Sequence, residues 1–250
     1  MNKNSNDNIL GVLGGIGPMA SVEFVKTIYE CSAGELEQES PAVVLYSDPS
    51  FPDRSQIFLR GEDDILLPRL IDALYRLCDM GADRIVMCCV TIHYLLPKLP
   101  NDLKEKVISL LDVLFALVEA SKEKHLVVCS IGTQKLKIMQ NHPRWSAAKD
   151  RLVFPSMNDQ ETIQQLIYSI KRNRGMSDII AYLESLLKLH DVDSLLVACS
   201  EIHMVAKQFP VVDEGSGKYS CLDPLGVIAR DCAEGRLWLT QSYEVSLARQ

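Results

Sequence analysis

Aromatic residues are scarce, 6% of 250 residues, and basic residues are outnumbered, 26 Lys and Arg against 33 Asp and Glu, for a formal charge of −7. That acidic balance argues against nucleic acid or an anionic membrane as partner. Long apolar runs are missing too. The strongly apolar stretch Ile85–Pro97 is thirteen residues, short of the roughly 20 that a helix needs to span a bilayer. The first eight residues, MNKNSNDN, are polar; no export signal is read there, and the expected location is cytoplasmic. No P-loop, His-Glu-x-x-His or Gly-x-Ser-x-Gly pattern occurs. What remains, 47% hydrophobic and 24% charged residues, is the composition of a globular protein with a sizeable core, not of a disordered chain.

Cysteine, by contrast, is plentiful: eight residues, at 31, 78, 88, 89, 129, 199, 221 and 232. Their scatter and the reducing location expected for the chain make them free thiols rather than a disulfide scaffold. Short apolar runs alternate with amphipathic patterns along the chain. Strands are predicted at Asn8–Leu13, Ala42–Tyr46, Arg84–Cys88, Leu126–Cys129 and Ser194–Ala198. Helices are predicted at Met19–Glu30, Ile65–Met80, Ser109–Ala120, Asn158–Lys171 and Asp178–Leu189. This alternation predicts an α/β fold with mostly parallel sheets flanked by helices.

The chain also repeats itself. Cys89-Val90-Thr91-Ile92-His93 and Cys199-Ser200-Glu201-Ile202-His203 share Cys-x-x-Ile-His, 110 residues apart, and prolines 100 and 210 follow at the same displacement. Each motif follows an apolar strand, and Ser130-Ile131-Gly132-Thr133 echoes the glycine turn at Gly14–Pro18. Two pseudo-symmetric lobes follow, residues 1–106 and 107–217, with 218–250 returning to the first lobe and a cleft between them. Ligands of open α/β sheets bind at the carboxyl ends of the strands, where both cysteines lie.

Three chemistries are compatible with the paired motif. Buried packing is one, since cysteine is often buried. A Cys₂His₂ zinc site is another, but the spacing is not that of a compact finger. The third is acid–base work by two thiols. A cysteine that ends a strand and opens a helix gains thiolate stabilisation from the helix dipole. Two of them across a cleft can remove and return a proton on opposite faces of one carbon. A nicotinamide site is a further candidate, because Gly15-x-Gly17-x-x-Ala20 fits a dinucleotide fingerprint; Pro18 interrupts it, and Asp48 lies beyond the usual acidic position.

Several segments together resemble the aspartate/glutamate racemase family, the PLP-independent two-cysteine racemases: Gly11–Ala20, Tyr46-Ser47-Asp48-Pro49, Pro52-Asp53-Arg54-Ser55, Gly81-Ala82-Asp83, Cys89–Tyr94, Ala198–Ile202 and Asp223-Pro224. The resemblance implies Cys89 and Cys199 as alternating base and acid, with no cofactor and no metal. It implies Arg54 and Lys171 at the distal carboxylate of an acidic amino acid, aspartate, glutamate or an analogue. It places Thr91, Ser130 and Thr133 at the α-carboxylate, and Gly15, Ile16, Val90, Ser200 and Glu201 along the substrate. A homodimer is implied as well. One departure stands out: the first motif reads Cys89-Val90-Thr91 where the family has Cys-Asn-Thr, removing a hydrogen-bonding side chain. An altered substrate, or ligand binding alone, is the alternative that Val90 raises.

Overall fold

A computed structural model describes residues 8–32, 34, 36–209 and 219–239. The elements in chain order are β1 (Ile9–Gly14), α1 (Pro18–Cys31), β2 (Ala42–Ser47), α2 (Arg54–Leu59), α3 (Asp63–Asp79), β3 (Arg84–Met87), α4 (Asn101–Lys106) and β4 (Val107–Ile108). There follow α5 (Leu110–Ala120), β5 (His125–Cys129), α6 (Ile131–Lys135), α7 (Trp145–Ala148), β6 (Leu152–Val153), α8 (Met157–Ile170), α9 (Met176–His190), β7 (Ser194–Ala198), α10 (Ser200–Ala206), β8 (Ser220–Leu222) and α11 (Pro224–Ala233). Among the described residues no helix is long and apolar enough to cross a membrane.

The strands form two four-stranded sheets of the same topology, β2-β1-β3-β4 and β6-β5-β7-β8. All pairings are parallel. The predicted α/β architecture with parallel sheets flanked by helices is therefore present, and all ten predicted elements occur within a few residues of their expected ends. Strands β3, β5 and β7 are buried along their whole length, which is why they read as continuous apolar runs. Three of the four edge strands, β4, β6 and β8, have two or three residues each, too few to show a periodicity in sequence.

The first sheet ends with β4 at Ile108, and β8 closes the second sheet. Helix α11, which follows β8, packs along α1. The halves also share a core: Leu10, Val12 and Val86 of the first sheet and Val127, Leu196 and Ala198 of the second lie in one buried cluster with Phe24, Leu114, Phe115 and Ile228 between them. The outer faces have separate cores, under α3 in one half and under α8 and α9 in the other. The second proline of the repeat, Pro210, lies outside the described residues.

Helix starts carry the expected chemistry. Asp53, Ser109, Ser130, Ser156 and Asp223 each accept a hydrogen bond from an early backbone N–H of the helix that follows, satisfying a donor that has no partner within the helix. The turn from β1 to α1 depends on Gly15, whose φ is +78° and where an added Cβ would lie 2.2 Å from the backbone of Asp48. Gly15→Ala is expected to cost roughly 3 kcal/mol or more, from a left-handed backbone and overlap with main chain that cannot move aside. Urea unfolding measures it; a loss below about 1 kcal/mol would show that the turn relaxes freely.

Candidate active site

β3 and β7, the central strands of the two sheets, each deliver a cysteine just past the carboxyl end. The Cys88 amide still donates to Leu13 O on β1, 3.0 Å, continuing the ladder, and Cys89 is the next residue. Cys199 directly precedes α10 in an extended conformation, φ −145° and ψ 131°. The two motifs then diverge. Ser200–Ala206 is a short α-helix, but Thr91–Lys98 is a 3-10 segment with Pro97 inside it. The expected pair of helix dipoles is thus not realised at Cys89, since a 3-10 turn has fewer and less aligned peptide dipoles.

Both thiols line one cavity, with Arg54, Val90, Thr91, Ser130, Lys171, Ser200 and Glu201 also on its wall. Nine of the twelve residues singled out in sequence meet there. The cavity volume is about 20 Å³, room for about one water, so an amino acid enters only when the walls separate. The halves touch across it. Thr91 Oγ1 lies 2.8 Å from Ser130 Oγ and 3.0 Å from Thr133 Oγ1, and those two are 3.1 Å apart. Thr133 therefore stands behind the wall and holds the hydroxyls that face it. Next to them Gly132 of α6 meets Ser55 of α2 so closely that a Cβ would fall 2.5 Å from Ser55 Oγ.

Gly15 and Ile16, expected along the substrate, do not line this cavity. Gly15 is taken up by its turn over Asp48. The Ile16 side chain is in the first outer core, and its carbonyl accepts from Arg54 Nη2 at 2.5 Å. Arg54 Nη1 donates to Pro52 O at 2.9 Å, so backbone carbonyls already occupy two of the guanidinium donors. Nε, buried, has no partner. Burial opposes the charge of Arg54, but Cys89 at hydrogen-bonding reach, with Glu201 and Asp53, outweighs it and raises its pKa.

Charge differs at the two thiols. Arg54 faces Cys89, whereas Cys199 Sγ donates to Glu201 Oε2 at 3.0 Å. Burial and then the Glu201 carboxylate push the Cys199 thiol well above its ordinary range, against the opposing pull of Lys171. Lys171 Nζ is 3.7 Å from Glu201 Oε1. Val90 is 2% exposed and belongs to the shared core, which makes its stretch of the wall apolar.

The histidines of the motif point elsewhere. Leu110 N–H donates to His93 Nε2 at 3.1 Å, so the ring proton is on Nδ1, which donates to Cys89 O at 2.9 Å. Burial lowers the His93 pKa to about 4, and the neutral ring ties the Cys89 backbone to the start of α5. His203 is held by Asp223 at 2.5 Å and Thr27 at 2.9 Å. A tetrahedral Cys₂His₂ site has no free nitrogens to draw on. Cys88 is fully buried in the shared core, a packing residue.

Asp53, Ser55 and Gln164 also line the cavity and were not singled out in sequence. Gln164 carries a signal of its own. With Gln160 four residues earlier it sits on the buried face of α8, where amides are rare without a task. Gln160 Nε2 donates to Cys129 O at 2.8 Å, and Gln164 Oε1 accepts from Ile131 N at 2.7 Å, bracing the turn between β5 and α6.

Residues 13–230 match the family model described as Asp/Glu/Hydantoin racemase. Among solved structures, an aspartate racemase from Picrophilus torridus is 23% identical with a TM-score of 0.75, over 92% of this chain and 99% of that one. An aspartate racemase homologue from Pyrococcus horikoshii is 17% identical with a TM-score of 0.61, over 91% and 98%. Glutamate racemase from Campylobacter jejuni is 16% identical with a TM-score of 0.56, over 90% and 85%. These likenesses are likenesses of fold.

Proposed function

The chain belongs to the Asp/Glu/Hydantoin racemase family, and from that premise we propose that it inverts the α-carbon of an acidic amino acid or close analogue without a cofactor. One thiolate takes the α-hydrogen as a proton; the other thiol gives its proton to the opposite face of the carbanion. The observation that carries this reading is the delivery of Cys89 and Cys199, from equivalent strands of two like sheets, to a single cavity. Arg54 and Lys171 supply positive charge for the distal carboxylate, and the free Nε of Arg54 is a donor still to be used. The Thr91 and Ser130 hydroxyls, which face the cavity, would release one another to take the α-carboxylate, with Thr133 bracing them from behind. Removing a proton beside a carboxylate is difficult, so the closed, nearly dry cavity matters: there oriented donors act at low dielectric.

Val90 favours a second reading, a substrate whose group at that wall is more apolar than that of aspartate or glutamate. A proton NMR screen of amino acids in heavy water separates the two. Loss of the α-proton signal of aspartate or glutamate, absent in the Cys89→Ala/Cys199→Ala double variant, supports the first. Exchange confined to less polar amino acids supports the second. No exchange with any amino acid would overturn the racemase assignment. A homodimer belongs to the same proposal, and sedimentation equilibrium would test it.

A further inference from the structure

The repeat is unequal at one position: two residues after the cysteine, the first half carries Thr91 and the second Glu201. Thr91 turns its hydroxyl to Ser130 and Thr133. Glu201 turns its carboxylate back onto Cys199. We propose that Glu201 is a positioning residue that holds Cys199 in the proton-donor state, so that Cys89 is the resting base and Cys199 the resting acid. The proposal rests on the two-thiol reading above and deepens it.

The carboxylate has little freedom to leave. Glu201 is 3% exposed. Its Oε2 accepts from Cys199 and lies 3.4 Å from Ser200 Oγ. Its Oε1 has no hydrogen-bond partner and is wedged against Gly17 so that a Cβ there would be 2.5 Å away. The groups that face Cys199 are Glu201 on α10, its backbone amide, and Lys171 at the end of α8. Arg54 on α2 acts on Cys89 and on Glu201, and Lys171 acts on both thiols, so the carboxylate bonded to Cys199 is what sets the two apart. Deprotonating Cys199 would set a thiolate within hydrogen-bond distance of a carboxylate, with Lys171 beside the pair; negative charge on Cys89 meets a guanidinium, with no carboxylate among the described residues bonded to its sulfur. Nearby like charge disfavours the charged form.

In turnover, Cys89 thiolate takes the α-proton and becomes a thiol, while Cys199 thiol protonates the opposite face and becomes a thiolate. The adjacent carboxylate then drives Cys199 to recover a proton from solvent as Cys89 loses one. Racemisation has an equilibrium constant of unity, so kcat/KM for the two enantiomers is equal at every pH, and the inequality must be read from the thiols one at a time.

The test is an ultraviolet thiolate titration of the full chain carrying Cys89→Ala, with and without Glu201→Gln, each with a Cys199→Ala background subtracted. Burial pushes Cys129, Cys221 and Cys232 up to about 12, so they stay protonated through most of the range. Glu201→Gln is expected to move the Cys199 midpoint down by about one pH unit or more. In parallel, α-deuterium exchange by Cys199 alone should rise roughly tenfold or more at neutral pH. Glu201→Asp, which keeps the charge, should keep the midpoint high. An unchanged midpoint overturns the proposal, and so does an upward one, which would make Glu201 the acceptor of the Cys199 proton. If the midpoint falls while the unmodified protein exchanges no amino acid, the role of Glu201 stands and the racemase reading fails.

Discussion

Cys89→Ala and Cys199→Ala are each expected to lower racemisation by roughly 10²–10⁴-fold, the range for loss of one positioned acid or base. Each variant should still exchange the α-hydrogen of one enantiomer, since the remaining thiol can remove and return a proton on its own side. Both side chains are small and sit on the cavity wall, 7% and 6% exposed, so folding should be little affected. Polarimetry follows loss of optical rotation, and NMR in heavy water follows exchange. The decisive pattern is exchange of opposite enantiomers by the two variants with inversion by neither. Two variants that exchange the same enantiomer would mean that the thiols do not flank the substrate.

Arg54→Lys is the second large effect, and it should appear in both stability and activity. The guanidinium spans the carbonyls of Ile16 and Pro52 while facing Cys89. It thereby fixes the β1–α1 turn, the start of α2 and the charge beside one thiol at once. A lysine keeps the charge but cannot donate along several fixed directions, and a buried carbonyl left unpaired costs about 1–3 kcal/mol. Urea unfolding should show a loss of that size. The fall in kcat/KM should be larger, roughly 10²-fold or more, because a buried charged contact to substrate is worth about 2–5 kcal/mol. If stability falls and kcat/KM for the best substrate does not, Arg54 is a brace for the turn and the distal group is held elsewhere.

The legible part of the site followed from local pattern. Cys89 and Cys199 stood out because a short motif recurs after two apolar strands. Arg54 and Lys171 came from the family resemblance, and both stand on the cavity wall. Gly15 and Ile16 were placed on the substrate by the same resemblance, yet the turn uses Gly15 for its own closure and Ile16 for a carbonyl that anchors Arg54. Gln164 was passed over because a glutamine on a helix reads as solvated until the buried face of that helix is known.

By itself the sequence determined the alternation of strand and helix, the duplication and the pair of thiols. These are encoded in residues that are neighbours along the chain, where periodicity of burial and the chemistry of turns act directly. Only the tertiary structure decided that the two halves share one core, that β8 belongs to the second sheet, and that Cys89 meets a cation while Cys199 meets a carboxylate. Arg54 is far from Cys89 in the chain, and Glu201 meets Cys199 where that cysteine is extended at the mouth of α10. Such contacts depend on side-chain direction after packing, which spacing along a chain does not specify.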